Sequence, residues 1–180
     1  MVDKEKVKSL MRELIIAIGD NPDREGLKET PMRVANMYEE IFSGIDSNPK
    51  EHLKVFSEES NYGNVISVKD IPFYSICEHH FLPFFGYVNI TYIPGNEKII
   101  GLSKFSRIVE CFARRPQVQE RLTSEIAEFI FNELKPNGIL VEIEAEHMCM
   151  TMRGVRAIGS RTKTTSIKGN IRTRIMKSDY

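Results

Sequence analysis

Apolar residues recur at helical spacing in two segments near the amino terminus. In the first segment, residues 7–18, the apolar positions lie three or four residues apart. In the second, Thr30 can cap a helix, Pro31 can take its first position and Gly44 marks its end. The pattern predicts two amphipathic helices, and the mostly polar residues 45–63 that follow are expected to form a hinge.

Beyond the hinge, the hydrophobic pattern predicts the order strand, strand, helix, helix, strand, strand. The predicted strands are residues 65–73, 85–93, 139–149 and 155–167, and the predicted helices are residues 103–114 and 118–134. We therefore expect an α+β fold in which residues 1–60 form a helical arm with its hinge and residues 61–180 form the body of one functional domain. Because such a body leaves open sheet edges, we also expect an oligomer.

Five of the seven cysteines and histidines lie in two short clusters. The first holds Cys77, His79 and His80, and the second holds His147 and Cys149. A Cys-x-x-His spacing supplies a thiolate and an imidazole from one turn, and the thiolate of Cys149 completes a sulfur and nitrogen set suited to zinc. Three protein ligands leave one tetrahedral position open, as in catalytic zinc sites.

Two other interpretations of these clusters remain open at the level of the sequence. The side chains can be ordinary buried thiols and satisfied histidines, although only His52 and Cys111 lie outside the clusters. A structural zinc closed by a fourth ligand, His79 or His147, also fits the spacing.

Alternation in residues 141–149 suggests a further role for His147. Val141, Ile143, Ala145, His147 and Cys149 share one face of the predicted strand. If Cys149 binds a metal, His147 is its neighbour on that face. This makes His147 a candidate acid or base.

Length and composition favour one domain without a membrane segment. The chain has 180 residues, of which 41% are hydrophobic, and no apolar run reaches the length of a membrane span. Residues 1–5 are charged, unlike a signal peptide, and three cysteines at unrelated spacings do not form a disulfide framework. We expect a soluble cytoplasmic protein with reduced thiols.

Although the net charge is zero, the carboxyl-terminal part of the chain is basic. Its charged residues after Thr151 are Arg153, Arg156, Arg161, Lys163, Lys168, Arg172, Arg174 and Lys177, against Asp179 alone. No helix-turn-helix, RRM or zinc-finger spacing accompanies them, which argues against nucleic acid as a partner. Polyphosphate recognition or solvated strand faces explain the charge better.

Several motifs in a fixed order resemble a known enzyme family. They are residues 77–80, 82–86, 101–104, 114–123 and 147–149, with 153–154. Together they resemble the zinc-dependent type of GTP cyclohydrolase I, from about Glu29 almost to the end of the chain. The resemblance implies the tunnelling fold, in which strands of neighbouring subunits close into a barrel and two pentamers stack into a toroidal decamer with shared active sites.

The resemblance also implies a reaction and its metal site. The family converts GTP and water to 7,8-dihydroneopterin triphosphate and formate, the entry to folate or tetrahydrobiopterin. It implies Cys77, His80 and Cys149 as zinc ligands. It also implies His79 and His147 as the acid–base pair.

The same resemblance implies residues that act on the rest of the substrate. Ser103 would assist the ribose rearrangement, although a helix N-cap explains this serine equally well. Glu120 and Gln119 would read guanine, because a carboxylate accepts hydrogen bonds from N1 and the 2-amino group, a donor pair that adenine lacks. The implied contacts to the triphosphate are Lys104, Arg107, Arg153 and Arg33.

One departure from the family pattern follows residues 164–166. The chain continues through residues 167–170 without the usual apolar-glycine segment and ends at Tyr180. An alternative function is a zinc-stabilised oligomer that binds purine or pterin triphosphates without turning them over. A zinc nucleobase deaminase is disfavoured because the His-x-Glu and Pro-Cys-x-x-Cys signature is missing.

Overall fold

The architecture comes from a computed structural model that describes residues 1–57, 64–95 and 98–171. Residues 58–63 of the predicted hinge lie outside the described residues. So do the charged residues Arg172, Arg174, Lys177 and Asp179.

Two helices begin the chain, as the periodicity predicts. Helix α1 spans Lys4–Ala17, and Asp3 caps it by accepting a hydrogen bond from the Lys6 N–H. Helix α2 spans Thr30–Ile41. The prediction that Thr30 caps α2 is wrong, because Glu29 already has helical backbone angles and is the N-cap, without a side-chain capping bond.

A short 3-10 helix at Pro49–His52 and strand β1 at Val55–Ser57 connect α2 with the rest of the chain. The end of α2 packs closely, since the Gly44 N–H donates to the carbonyl of Arg114 at 2.9 Å. A Cβ on Gly44 would lie 2.4 Å from the carbonyl oxygen of Cys111, so this approach requires glycine.

Five strands form the main sheet in the order β5-β2-β3-β6-β7. All neighbours are antiparallel except β5 and β2. These strands are β2 Ile66–Cys77, β3 Leu82–Ile93, β5 Pro116–Gln117, β6 Gly138–His147 and β7 Thr162–Gly169. Strand β4, Lys98–Ile100, pairs separately with β1.

Helices α3, Leu102–Ala113, and α4, Gln119–Leu134, lie between the two long strand pairs along the chain. The pairs β2–β3 and β6–β7 and these two helices confirm the predicted α+β class and the tunnelling-fold subunit. Apolar side chains of α3 and α4 share one buried core with alternate residues of the strands, including Val88, Ile90, Val141 and Ile143. Among the described helices, none combines the length and the apolar character that crossing a membrane requires.

The predicted strands at 139–149 and 155–167 are partly wrong. Strand β6 ends at His147, and Cys149 belongs to a single helical turn, α5, at Met148–Thr151. Turns replace the first part of the last predicted strand, because Gly154 and Gly159 have φ values of 61° and 78°. Alternation misled the prediction because the apolar side chains in this stretch, such as Ile158, are exposed rather than packed on a sheet.

Candidate active site

Three side chains that are distant in sequence meet at one end of the sheet. Cys77 ends β2, His147 ends β6, and Cys149 follows in α5. Strand β3 lies between β2 and β6, and its register pairs Leu82 with Cys77 and Phe84 with His147. The ligand atoms of Cys77, His147 and Cys149 consequently lie within 4.8 Å of one another.

The chemistry of this cluster fits a thiophilic cation such as zinc. Cys77 is buried and Cys149 is half-buried. Burial raises the pKa of the Cys149 thiol, and the adjacent Cys77 raises it further, because a second negative charge is unfavourable there. A divalent cation bound between the two sulfurs would remove this repulsion and stabilise both thiolates. Two sulfurs and one imidazole nitrogen are a donor set typical of zinc.

His147 is held on two sides. Its ring stacks on Phe84, with centroids 4.7 Å apart and planes 4° from parallel, and its Nε2 lies 2.8 Å from Oε1 of Gln119. Burial lowers the pKa of His147, and the nearby Glu120 carboxylate offsets part of this shift. The imidazole is therefore held mainly in its neutral form at neutral pH.

His79 and His80 are exposed on the turn between β2 and β3. Nδ1 of His79 lies 3.8 Å from the sulfur of Cys77. Nε2 of His80 accepts a hydrogen bond from Nη1 of Arg153 at 3.1 Å. The imidazole that the structure brings up to both cysteines is thus His147, whereas the family resemblance implies His80 as the ligand.

An ion pair that the sequence analysis did not identify ties this turn to α4. Both oxygens of Glu78 accept hydrogen bonds from Arg121, at 2.8 and 3.0 Å. The Arg121 guanidinium lowers the pKa of the Glu78 carboxyl. Because Arg121 follows Glu120 on α4, the pair fixes the metal-site turn relative to the predicted base-reading carboxylate. Glu78 and Arg121 are 43 positions apart in the sequence, and no pattern in the residue spacing predicts that they pair.

The two residues predicted to read guanine have different surroundings. Glu120 is exposed in the first turn of α4, where a ligand can reach it. Gln119 is 1% exposed, and its side chain contacts His147 and three groups of β6 and β7.

Ser103 and Lys104 lie in the first turn of α3. The N-cap of α3 is Gly101, and no side chain caps this helix, so the alternative that Ser103 is a helix cap is wrong. Ser103 is exposed and Lys104 is half-buried.

Arg107 and Arg33 have neighbours outside the cysteine cluster. Arg107 lines a polar cavity of about 420 Å³ together with His52, Cys111 and Arg114. Arg33 of α2 pairs with Glu29, the N-cap of this helix. Within the described residues, no hydrogen bond or ion pair joins Ser103, Lys104, Arg107 or Arg33 to the cluster around Cys77.

Fold and site define the class of this protein: an α+β protein with a candidate thiolate–imidazole metal site at one end of an antiparallel sheet. A sequence model of the family described as GTP cyclohydrolase I matches residues 7–179. The chain belongs to the GTP cyclohydrolase I family.

Curated relatives agree over nearly their whole length. GTP cyclohydrolase 1 of Carboxydothermus hydrogenoformans is 56% identical over 176 residues, which cover 97% of this chain and 91% of the relative. The enzyme of the same name from Pelotomaculum thermopropionicum is 57% identical, with 97% and 93% covered. An apo crystal structure of the archaeosine synthase QueF-Like aligns with 63% of this chain at 15% identity and a TM-score of 0.46.

Proposed function

We propose that this protein is a zinc-dependent GTP cyclohydrolase I that converts GTP and water to 7,8-dihydroneopterin triphosphate and formate. The observation that carries the proposal is the convergence of Cys77, His147 and Cys149 in a chain of this family. The product would enter folate or tetrahydrobiopterin synthesis. Reduced, unpaired thiols at Cys77 and Cys149 are compatible with the cytoplasmic location that we propose.

The two cysteines would hold zinc together with an imidazole. Resemblance favours His80 as that imidazole, and proximity favours His147. When bound, zinc supplies Lewis-acid chemistry that activates water and polarises the carbon to be attacked. The half-buried position of Cys149 limits the access of bulk water to its sulfur.

The histidines would move protons during ring opening and loss of formate. Opening the imidazole ring of guanine requires protons at ring nitrogens, and such transfers suit groups that titrate near neutrality. His147 is mainly neutral at neutral pH, so it can accept a proton. His79 lies on the turn beside Cys77, from which it can donate one.

Glu120 would select guanine, and Ser103 would assist the rearrangement of the ribose. An exposed carboxylate can accept hydrogen bonds from N1 and the 2-amino group together, so adenine would leave it unsatisfied. The charge of Glu120 raises the pKa of His147, so the two side chains are close to each other. A guanine bound by Glu120 would therefore lie beside His147.

Four cations would bind the triphosphate, and we propose that they come from more than one subunit. Arg153 contacts His80 and would act within its own chain. Within the described residues, no hydrogen bond or ion pair joins Lys104, Arg107 or Arg33 to the cluster of their own chain, which supports sites shared in a homo-oligomer, namely a toroidal decamer of two pentamers. We also retain residues 1–60 as an arm with its hinge and residues 61–180 as the catalytic body.

Incubation of the zinc-loaded protein with GTP tests the proposal. We expect formate and dihydropterin absorbance to appear together, and a Cys149→Ala variant to produce neither. Tight GTP binding by the wild type without either product would favour the alternative, a non-catalytic oligomer that binds purine or pterin triphosphates.

Zinc content distinguishes the two candidate imidazole ligands. Losing a ligand should weaken zinc binding by more than about 100-fold, beyond the usual effect of a supporting residue. Loss in His80→Ala but not in His147→Ala would support the ligand set implied by the resemblance, and the reverse result would support His147. Loss in both variants would indicate a site closed by four protein ligands, as the binding alternative requires.

A further inference from the structure

Gln119 is the centre of a buried hydrogen-bond network. Its Nε2 lies 3.1 Å from the carbonyl of Ile143, 2.9 Å from the carbonyl of Thr162 and 3.0 Å from Oγ1 of Thr164. Its Oε1 lies 2.8 Å from Nε2 of His147. With 1% of Gln119 exposed, water does not satisfy these atoms, and the protein partners decide how the amide is oriented.

The backbone carbonyls of Ile143 and Thr162 determine which end of the amide faces them. A carbonyl oxygen only accepts hydrogen bonds, so the group beside two carbonyls must be the NH₂ of Gln119. A flipped amide would set its own oxygen against both carbonyl oxygens in a buried site. Oε1 of Gln119 is therefore directed at His147.

The two threonines of the network agree with this orientation. Oγ1 of Thr123 donates its proton to the carbonyl of Gln119 at 2.7 Å. In the 2.6 Å contact between the hydroxyls, Thr164 must consequently donate to Thr123. Thr164 then has no proton left for Gln119 and can only accept from its NH₂ group. Because this group has two protons and three acceptors, one of its N–H bonds is shared between two of them.

An amide oxygen directed at His147 determines where the imidazole carries its proton. Because Oε1 of Gln119 only accepts, Nε2 of His147 must donate. A neutral imidazole has one N–H, so the lone pair is on Nδ1. Stacking on Phe84 holds the plane of the ring at the same time.

We propose that Gln119 is a positioning residue that holds His147 as the Nε2–H tautomer and leaves Nδ1 as the ring nitrogen available to substrate or metal. Its side-chain atoms are hydrogen-bonded inside the protein, so it acts through His147 rather than by contacting guanine. The neutral amide of Gln119 orients the His147 ring without adding charge. It accepts the hydrogen bond from Nε2 whether or not Nδ1 binds another group. The role of His147 in GTP turnover, which this inference deepens, rests on the proposed function.

Neutron diffraction of the zinc-loaded protein after exchange into deuterated water tests the tautomer directly. We expect deuterium on Nε2 of His147, pointing at Oε1 of Gln119. Deuterium on Nδ1 with a bare Nε2 would overturn the proposal. This readout requires no turnover, so it stands even if the protein does not convert GTP.

Kinetics of Gln119→Leu separate positioning from base recognition. We expect kcat to fall by about 10–100-fold, as for other residues that orient an active group, with KM for GTP changed less than about threefold. A raised KM with unchanged kcat would show that Gln119 contacts guanine, and unchanged values of both would show that it has no role. Either result overturns the proposal.

Gln117→Leu is the matched control for loss of a buried amide. Gln117 is 0% exposed and donates to Phe112 and Glu125, not to His147. We expect Gln117→Leu to keep the wild-type kcat while losing about as much thermal stability as Gln119→Leu. A fall in kcat equal to that of Gln119→Leu would overturn the proposal.

If Gln119→Leu does not fold, Thr164→Val removes one hydrogen-bond partner of the Gln119 amide while keeping the shape of the side chain. We expect a smaller fall in kcat than in Gln119→Leu, at unchanged KM. A raised KM in Thr164→Val would count against positioning.

Discussion

His147 shows how neighbours set the chemistry of a single residue. Its ring is half-buried against Phe84, and burial penalises the charged imidazolium more than the neutral ring. Glu120 acts in the opposite direction but does not cancel the effect. The pKa of His147 is therefore lower in the folded protein than in the unfolded chain.

This lowered pKa predicts a dependence of stability on pH in the zinc-free protein. As pH falls below about 6.5, the unfolded chain takes up a proton at His147 before the folded chain does. The stability contributed by neutral His147 is thus present above that pH and is lost below it. Urea denaturation at several pH values should show that unfolding free energy is lost less steeply below about pH 6.5 in His147→Gln than in the wild type.

His52→Gln provides the control for removing a histidine outside the site. If the unfolding free energy of His147→Gln falls with pH as steeply as that of the wild type, the predicted role of burial at this residue is contradicted.

Strand β3 brings the two ends of the candidate metal site together. It pairs with β2 on one side and β6 on the other, and its register sets Cys77 and His147 at the same end of the sheet. Gly86 permits this pairing, because a Cβ there would lie 2.0 Å from the carbonyl oxygen of Glu144. The close approach of two backbones, rather than a turn, explains this glycine.

Gly86→Ala should therefore destabilise the protein by about 1–3 kcal/mol, as overpacking usually does. Zinc affinity should fall with it, since β6 carries His147. In the control Gly26→Ala, the atom nearest to the new Cβ is Nη1 at the end of the flexible Arg24 side chain, 3.0 Å away, and the change should stay within about 0.5 kcal/mol. Chemical denaturation measures both variants, and a Gly86→Ala protein as stable as the wild type would argue against this register.

The pair between Glu78 and Arg121 joins the metal-site turn to α4. Because both side chains are partly exposed, the pair should contribute at most about 1 kcal/mol to stability. We expect Arg121→Met to keep nearly the wild-type melting temperature but to lose about tenfold in kcat, as the turn and Glu120 move independently. The exchanged pair, Glu78→Arg with Arg121→Glu, should recover part of this loss. Equal kcat in Arg121→Met and wild type would refute a positioning role.

At the scale of the whole molecule, the sheet is open at its edges. Within residues 64–95 and 98–171, β7 has no strand on its outer side, and β2 is bordered only by the two-residue β5. Such edges invite pairing between chains. In the part of the chain that the structure describes, no hydrogen bond or ion pair joins Lys104 or Arg107 to the cluster of their own chain. Both features support the proposal that a neighbouring subunit completes the active site.

Shared sites predict complementation between inactive variants. Co-expression of His147→Ala with Arg107→Ala should restore up to about a quarter of the wild-type activity, because random mixing pairs an intact cluster with an intact neighbour in that fraction of sites. Formate release by doubly tagged, purified oligomers measures it. The control combination His147→Ala with Cys77→Ala should stay inactive, because both changes damage the same cluster. No recovery in a mixed oligomer containing Arg107→Ala would mean that each chain uses its own arginine.

Local patterns predicted some elements well and others poorly. Helical periodicity located α1 to α4, because side chains three or four residues apart share one face of a helix. Alternation failed after His147, where the chain turns into α5 and glycines with positive φ follow. An alternating pattern describes side chains only if the backbone stays extended, and Cys149 reaches the cluster from a helical turn instead.

From the sequence alone follow the order of the four main helices and four long strands, the types of group available for catalysis and the family, since all three depend on residues that are neighbours along the chain. That His147 lies beside both cysteines, that Gln119 faces inward and that Arg121 holds Glu78 follow from the three-dimensional packing. These contacts depend on the register of β3 with its neighbours and on the packing of α4, which bring together groups dozens of positions apart. Distances across a fold are set by packing, and no local pattern encodes them.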